Sequence, residues 1–132
     1  MKGKVASILF INKKGQMLLY LRDDKKSIPY PNTWALIGGH VEKGEEILDA
    51  LRREVHEEIG IDVKNPVFIK EFDDKVGNDV FVYKDKINLS LSDLELTEGQ
   101  RLKYFSFEEI LNQENVPKPL KDFLKKNKNL IE

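Results

Sequence analysis

Three glutamates crowd one turn of this chain: Glu54, Glu57 and Glu58, within the run REVHEE. They close the stretch Gly38–Ile61, GGHVEKGEEILDALRREVHEEIGI, which carries six glutamates in all. From about Glu45 to Ile59 the apolar residues recur at helical spacing. At ~100° per residue, Ile47, Leu48, Leu51, Val55 and Ile59 share one arc, the buried stripe of an amphipathic helix. The three carboxylates fall together on the neighbouring arc, because separations of three and four residues share a face. Glu58 lies at the margin of the stripe, between Ile47 and Leu51 in projection. Like charges ~4 Å apart repel by about 1 kcal/mol in water and roughly 4 at an effective dielectric of 20. The helix N-terminus, where the macrodipole would favour anions, lies elsewhere. Positive charge must therefore compensate. Arg52, Arg53 or distant lysines would do so as ordinary ion pairs. A hard divalent cation, Mg²⁺ or Mn²⁺, would do so through carboxylate, water and phosphate oxygens. Taken alone, REVHEE favours the first, a solvated charged helix face.

The elements around this helix must hold it against something. KVASILFIN and QMLLYLRDD predict two strands joined by the turn Asn12–Gly15. Lys25–Asn32, with two prolines, reads as a loop, and TWALI as one short buried strand ending on Gly38-Gly39. Gly60 stands where a left-handed helix cap belongs. NPVFIKEFDD and NDVFVYKDKI predict a second strand pair around KVGN, LSLSDLELTEGQ a polar loop, and RLKYFS a last strand. SFEEILNQ and PKPLKDFLKKN predict two short helices, with Ser106 as N-cap of the first, and the terminal KKNKNLIE is expected to fray. The order β-β-β-α-β-β-β-α implies an α/β fold, a mixed sheet with helices on both faces.

Composition narrows the function. At 132 residues the chain is expected to form a single domain, residues 1–132. Its net charge of −1 argues against a dedicated nucleic-acid binder, and the absence of cysteine excludes disulfides, thiolate catalysis and zinc–cysteine sites. The N-terminal apolar run is too short for a signal peptide or a membrane span, so a cytoplasmic protein without membrane contact is expected.

The full spacing decides between the two readings of REVHEE. Gly39, five residues, Glu45, seven residues, then Arg53-Glu54-Val55-His56-Glu57-Glu58-Ile59-Gly60-Ile61 resembles the signature of the Nudix hydrolases without a mismatch over 23 residues. Agreement by chance at a given start is on the order of one in 10⁸, at about 5–10% background per fixed residue. TWALIGG before the motif and EGQRLKYFSFEEI after it look like typical flanks. Many members have proline where Ile37 stands. The resemblance implies a Nudix-type α/β/α sandwich and Mg²⁺-dependent (or Mn²⁺-dependent) hydrolysis of a pyrophosphate bond in a nucleoside diphosphate linked to some group X. Carried over position by position, Glu54, Glu57 and Glu58 would be metal ligands, with the carbonyl of Gly38 as a further one. Glu54 or a carboxylate on a later loop would activate water. Glu45 and Arg53 would pair structurally, Gly39 would serve a tight turn beside the substrate, and Gly60 the helix cap.

Outside the motif, Glu98 in LTEGQ is the candidate loop carboxylate, with Glu95 as its rival. Arg22, at the end of the second predicted strand, is a candidate phosphate contact, the alternative being a salt bridge with Asp23 or Asp24. His40 is placed to face the substrate. Trp34 is expected in the core, Tyr30 and Phe81 are weaker base-stacking candidates, and His56 is expected to be exposed. A short domain without insertions points to a small substrate, a nucleoside or deoxynucleoside triphosphate. Nucleotide sugars, dinucleoside polyphosphates and RNA 5′ ends stay open, as does the choice between monomer and homodimer. The alternative function is a nucleotide-sensing module that binds without turnover.

Overall fold

The computed structural model describes residues 2–132. Two hairpins are set by their turn chemistry. Between β1 (Gly3–Ile11) and β2 (Met17–Leu21), the Asn12 side-chain oxygen accepts the N–H groups of Lys14 at 3.0 Å and Gln16 at 2.9 Å. After β3 (Trp34–Ala35), β4 (Ile37–His40) and helix α1 (Ile47–Ile59), the second hairpin joins β5 (Val67–Asp73) to β6 (Asn78–Lys86). There Asp74 accepts from the N–H groups of Val76 and Asn78, and Gly77 takes a positive φ of 104°. A 3₁₀ turn (Leu91–Asp93), β7 (Arg101–Phe105) and three short helices follow: α2 (Phe107–Asn112), α3 (Lys118–Lys126) and α4 (Lys128–Ile131).

The strands form one mixed sheet in the order β3-β2-β1-β6-β5, with β4 also pairing β1 and β7 also pairing β2. β1 and β6 run parallel, from Gly3 opposite Asn78 to Ile11 opposite Lys86, and the other pairs are antiparallel. Side chains alternate between two cores. Ala6, Ile8, Phe10, Leu18 and Ile37 pack beneath α1, while Leu9, Met17, Leu19, Val80, Val82 and Phe105 pack beneath α2–α4. Each fully buried Leu, Ile or Phe contributes about 1.5–3 kcal/mol. Helices therefore cover both faces, the sandwich that the sequence implies.

Four expectations are corrected. TWALI is not one strand. Trp34–Ala35 pairs with β2, the chain crosses at Leu36, and Ile37–His40 pairs with Val5–Ile8 of β1. The pairing of β4 with β1 needs glycine: a Cβ on Gly38 would stand 2.0 Å from the Ala6 carbonyl oxygen. On α1, which begins at Ile47 rather than Glu45, Leu48 is exposed and Ala50 is buried in its place. That swap rotates the buried arc and moves Glu58 from its margin towards its middle, leaving the residue 5% exposed. The terminal segment is not frayed: Ile131 is buried, Asn127 Nδ2 donates to the Phe123 carbonyl at 2.9 Å, and the Lys84 ammonium donates to the Leu130 carbonyl. The predicted polar loop before β7 also holds more order than expected. Ser90 and Asp93 cap its 3₁₀ turn reciprocally, and Leu94 and Leu96 pack against the core under α1.

Candidate active site

The split run 34–40 opens a cleft of about 460 Å³ between β3 and β4. One end is acidic, lined by Glu54, Glu58 and Glu98 together with Gly38, Gly39 and His40. The other is mostly apolar, with Trp34, Leu36, Phe72, Val80 and Leu120. α1 supplies two of the carboxylates because its packing on β1 and β4 turns that face towards the backbone of the double glycine. Gly39 lies so close that a Cβ there would meet the Glu54 carboxyl group at 2.3–2.7 Å. The Gly38 N–H donates to Glu58 Oε2 at 3.2 Å.

Arg53 stands behind this end and gathers the rest of the motif. Its guanidinium takes Glu45 in a two-pronged pair, Nε to Oε2 at 2.9 Å and Nη2 to Oε1 at 3.0 Å. Nη2 also donates to the His40 carbonyl at 3.1 Å, tying β4 to α1. Nη1 reaches Glu54 at 2.9 Å and Glu57 at 3.4 Å. The Arg53 pair, with the Glu42 N–H second, holds the Glu45 carboxyl down to about 2. The expected structural pairing of Glu45 with Arg53 is thus present.

Glu58 behaves oppositely. Burial first, and then the hydrogen bond and charge of Glu98, push its carboxyl up to about 8, against the pull of the Gly38 N–H. Burial beside a second carboxyl thus favours the protonated form of Glu58. Next to it, burial raises the Tyr20 phenol to about 12.

The remaining candidates separate clearly. Arg22 lines the cleft, donating to the Pro29 carbonyl at 3.1 Å and to the Tyr20 hydroxyl at 3.3 Å rather than pairing with Asp23 or Asp24. Glu98 faces the cleft and Glu95 does not. Glu57, 57% exposed, stands outside the lining and pairs with Arg53 at 3.4 Å. Gly60, at φ 71°, caps α1 and lies away from the cleft. His56 is exposed beside Asp62. Trp34 is buried edge-on to Phe105 with ring centroids 4.8 Å apart, as expected of a core residue, although it also borders the apolar end. Tyr30 borders it too, its hydroxyl donating to the Asp74 carbonyl at 2.6 Å. Phe81 does not; it packs near Phe68, outside the cleft. Tyr20 also lines the cleft, although in the sequence it reads as one more apolar strand position.

Among the described residues, no three His, Asp or Glu side chains stand together ready to hold a metal ion. Arg53 draws Glu54 and Glu57 to itself, while Glu58 turns to Gly38 and Glu98. The donor chemistry nonetheless fits a hard divalent cation. The groups at this end are carboxylate oxygens, and Glu58, pushed up by burial and by Glu98, lies where positive charge is short.

A family model described as the NUDIX domain matches residues 1–126. The chain belongs to the Nudix family. A crystal structure of a MutT protein from Methanosarcina mazei Go1 superposes with a TM-score of 0.82 at 25% identity, covering 97% of this chain and 94% of that one. A Caenorhabditis elegans Ap4A hydrolase complex shares the fold at a TM-score of 0.75 and 22% identity, covering 96% and 97%. Over 50 residues the chain is 50% identical to the nucleoside triphosphatase NudI of Escherichia fergusonii. That match covers 38% of this chain and 35% of the relative, so the chain spans about a third of the length of such Nudix relatives. No helix among the described residues is long and apolar enough to cross a membrane.

Proposed function

We propose that this Nudix protein hydrolyses a pyrophosphate bond in a nucleoside diphosphate linked to X, with a nucleoside or deoxynucleoside triphosphate as substrate and Mg²⁺ (or Mn²⁺) as cofactor. The observation that carries this reading is the cleft itself: Glu54, Glu58 and Glu98 line it together with the double-glycine backbone, and Trp34, Leu36, Phe72, Val80 and Leu120 give it an apolar wall. The likeness to a nucleoside triphosphatase supports the triphosphate as substrate.

Glu54, Glu57, Glu58 and the Gly38 carbonyl would hold the metal. When bound, it would neutralise phosphate oxygens and lower the pKa of a coordinated water. Arg53 orients Glu54 through Nη1 at 2.9 Å, and the Gly39 backbone leaves room for its carboxyl. Glu98 or Glu54 takes the proton of the attacking water, being the carboxylates at the acidic end besides the buried Glu58. Arg22 and His40 face the phosphates, and the apolar slot between Trp34 and Leu120 receives the base.

One observation favours a second reading, a nucleotide-sensing module that binds without turnover. Arg53 already neutralises Glu54 and Glu57, and no ready-made metal cluster stands among the described residues. A panel of nucleotides assayed with Mg²⁺ and Mn²⁺, beside the Glu57→Gln variant, separates the two. Cleavage of one preferred compound by the wild type, lost by orders of magnitude in the variant, supports hydrolysis. Tight binding of nucleotide with no cleavage of any supports the sensor. A fully active Glu57→Gln protein would remove Glu57 from the metal site.

A further inference from the structure

Glu98 is carried by a segment fastened at both ends. On one side, Thr97 N–H donates to the Glu58 carbonyl at 3.0 Å, and its hydroxyl donates to the Glu57 carbonyl at 2.9 Å and reaches the Glu58 carbonyl at 3.4 Å. These carbonyls lie in the last turn of α1, which ends at Ile59, so the helix offers them no N–H of its own. On the other side, Gln100 N–H donates to the Leu21 carbonyl at 2.8 Å, and its side chain bridges the Arg22 carbonyl at 2.7 Å and Asn32 at 2.9 Å. Gly99, at φ 87°, presses against Tyr20, where a Cβ would come within 2.6 Å of the ring. Between these anchors Glu98 lines the same cleft as Glu58 and Glu54.

We propose that Thr97 is a positioning residue: by clasping the exposed end of α1, its hydroxyl sets the Glu98 carboxyl against Glu58 at the acidic end of the cleft. The role rests on the hydrolase reading above, since Glu98 matters to turnover only if the cleft turns substrate over. A valine at this place keeps the shape and the N–H bond and loses only the hydroxyl, whereas serine keeps both bonds. Because the loop is held elsewhere too, the expected effect is the two- to tenfold that one hydrogen bond is worth.

The test compares Thr97→Val and Thr97→Ser with the wild type in steady-state hydrolysis of the preferred nucleotide, and in backbone amide exchange without substrate. The valine variant should lose two- to tenfold in kcat with KM within about twofold, serine should restore kcat, and amides 95–99 should exchange faster in the valine variant alone. An unchanged kcat, a loss that falls on KM instead, or a serine variant as slow as the valine one would overturn the assignment. A wild type that cleaves no nucleotide would refute the hydrolase reading separately. Amide exchange then decides alone: faster exchange reversed by serine supports the clasp, and unchanged exchange overturns it.

Discussion

Two carboxylates of this motif, Glu45 and Glu58, 13 residues apart in the chain, meet opposite fates. Glu45 is gripped by a guanidinium and a backbone N–H and is held down to about 2. Glu58, buried against Glu98, is pushed up to about 8. Among the described residues no lysine or arginine pairs with Glu58 or Glu98. The first arrangement is complete as it stands and belongs to the architecture. The second has a buried carboxyl without a counter-charge, the kind of perturbed group that marks a candidate functional site. Charge density alone does not distinguish the two; the presence of Arg53 on one side and its absence on the other does.

The contrast breaks most sharply at Glu58. Replacing it with glutamine keeps the shape and the hydrogen bonds while removing the charge a cation would use. Glu58→Gln should lose about 10²–10³-fold or more in turnover, in line with the loss of one charge-stabilising group in other sites. Its melting temperature without metal should stay level or rise. A variant that melts well below wild type would show that Glu58 serves the fold.

Gly39→Ala tests the close approach of loop and helix. The added methyl would meet the Glu54 carboxyl at 2.3–2.7 Å and must push it aside. A displacement of about 1 Å in a reacting group can cost on the order of 10²-fold. We expect a loss of ten- to a hundredfold in kcat, read by steady-state kinetics, with the fold retained in circular dichroism.

The two groups also predict opposite pH dependences of stability. Glu58, raised in the folded state, contributes stability that is full below its unfolded pKa of about 4.5 and is lost as pH rises towards about 8. Glu45, lowered in the folded state, contributes stability present above about 4.5 and lost as pH falls towards about 2. Thermal melts of the metal-free protein should therefore show a maximum near pH 5. The upper decline should flatten in Glu58→Gln or with Mg²⁺, and the lower one in Glu45→Gln, which should also melt a few degrees below wild type near neutral pH. Identical profiles for all three proteins would dissolve the comparison.

The sequence made the satisfied half legible and the unsatisfied half only partly so. Gly39, Glu45 and Arg53 sit at fixed distances along the chain, and their pairing follows from where a loop meets the first turns of a helix. Gly60 and Ser106 were legible for the same local reason, as each caps its own helix. The burial of Glu58 was not, because it depends on Ala50 rather than Leu48 facing the sheet, a choice made by β1 and β4 from afar. Likewise the crossing at Leu36 depends on which strand each half of TWALI pairs with, and alternation along a strand cannot report its neighbours. Ile131 packs in a terminal run that reads as polar, since a single buried apolar residue in it carries no period. Thr97 acts through carbonyls about 40 residues earlier, beyond the reach of any local pattern.

The central claim, that Glu58 and Glu98 form a carboxyl pair lacking a cation, is most directly tested by titrating the side-chain carboxyl carbons by NMR with and without Mg²⁺. Glu58 should titrate near 8 in the metal-free protein, and Mg²⁺ should move this transition down into the ordinary carboxylate range. A Glu58 that titrates in the ordinary range without metal and ignores Mg²⁺ would contradict it.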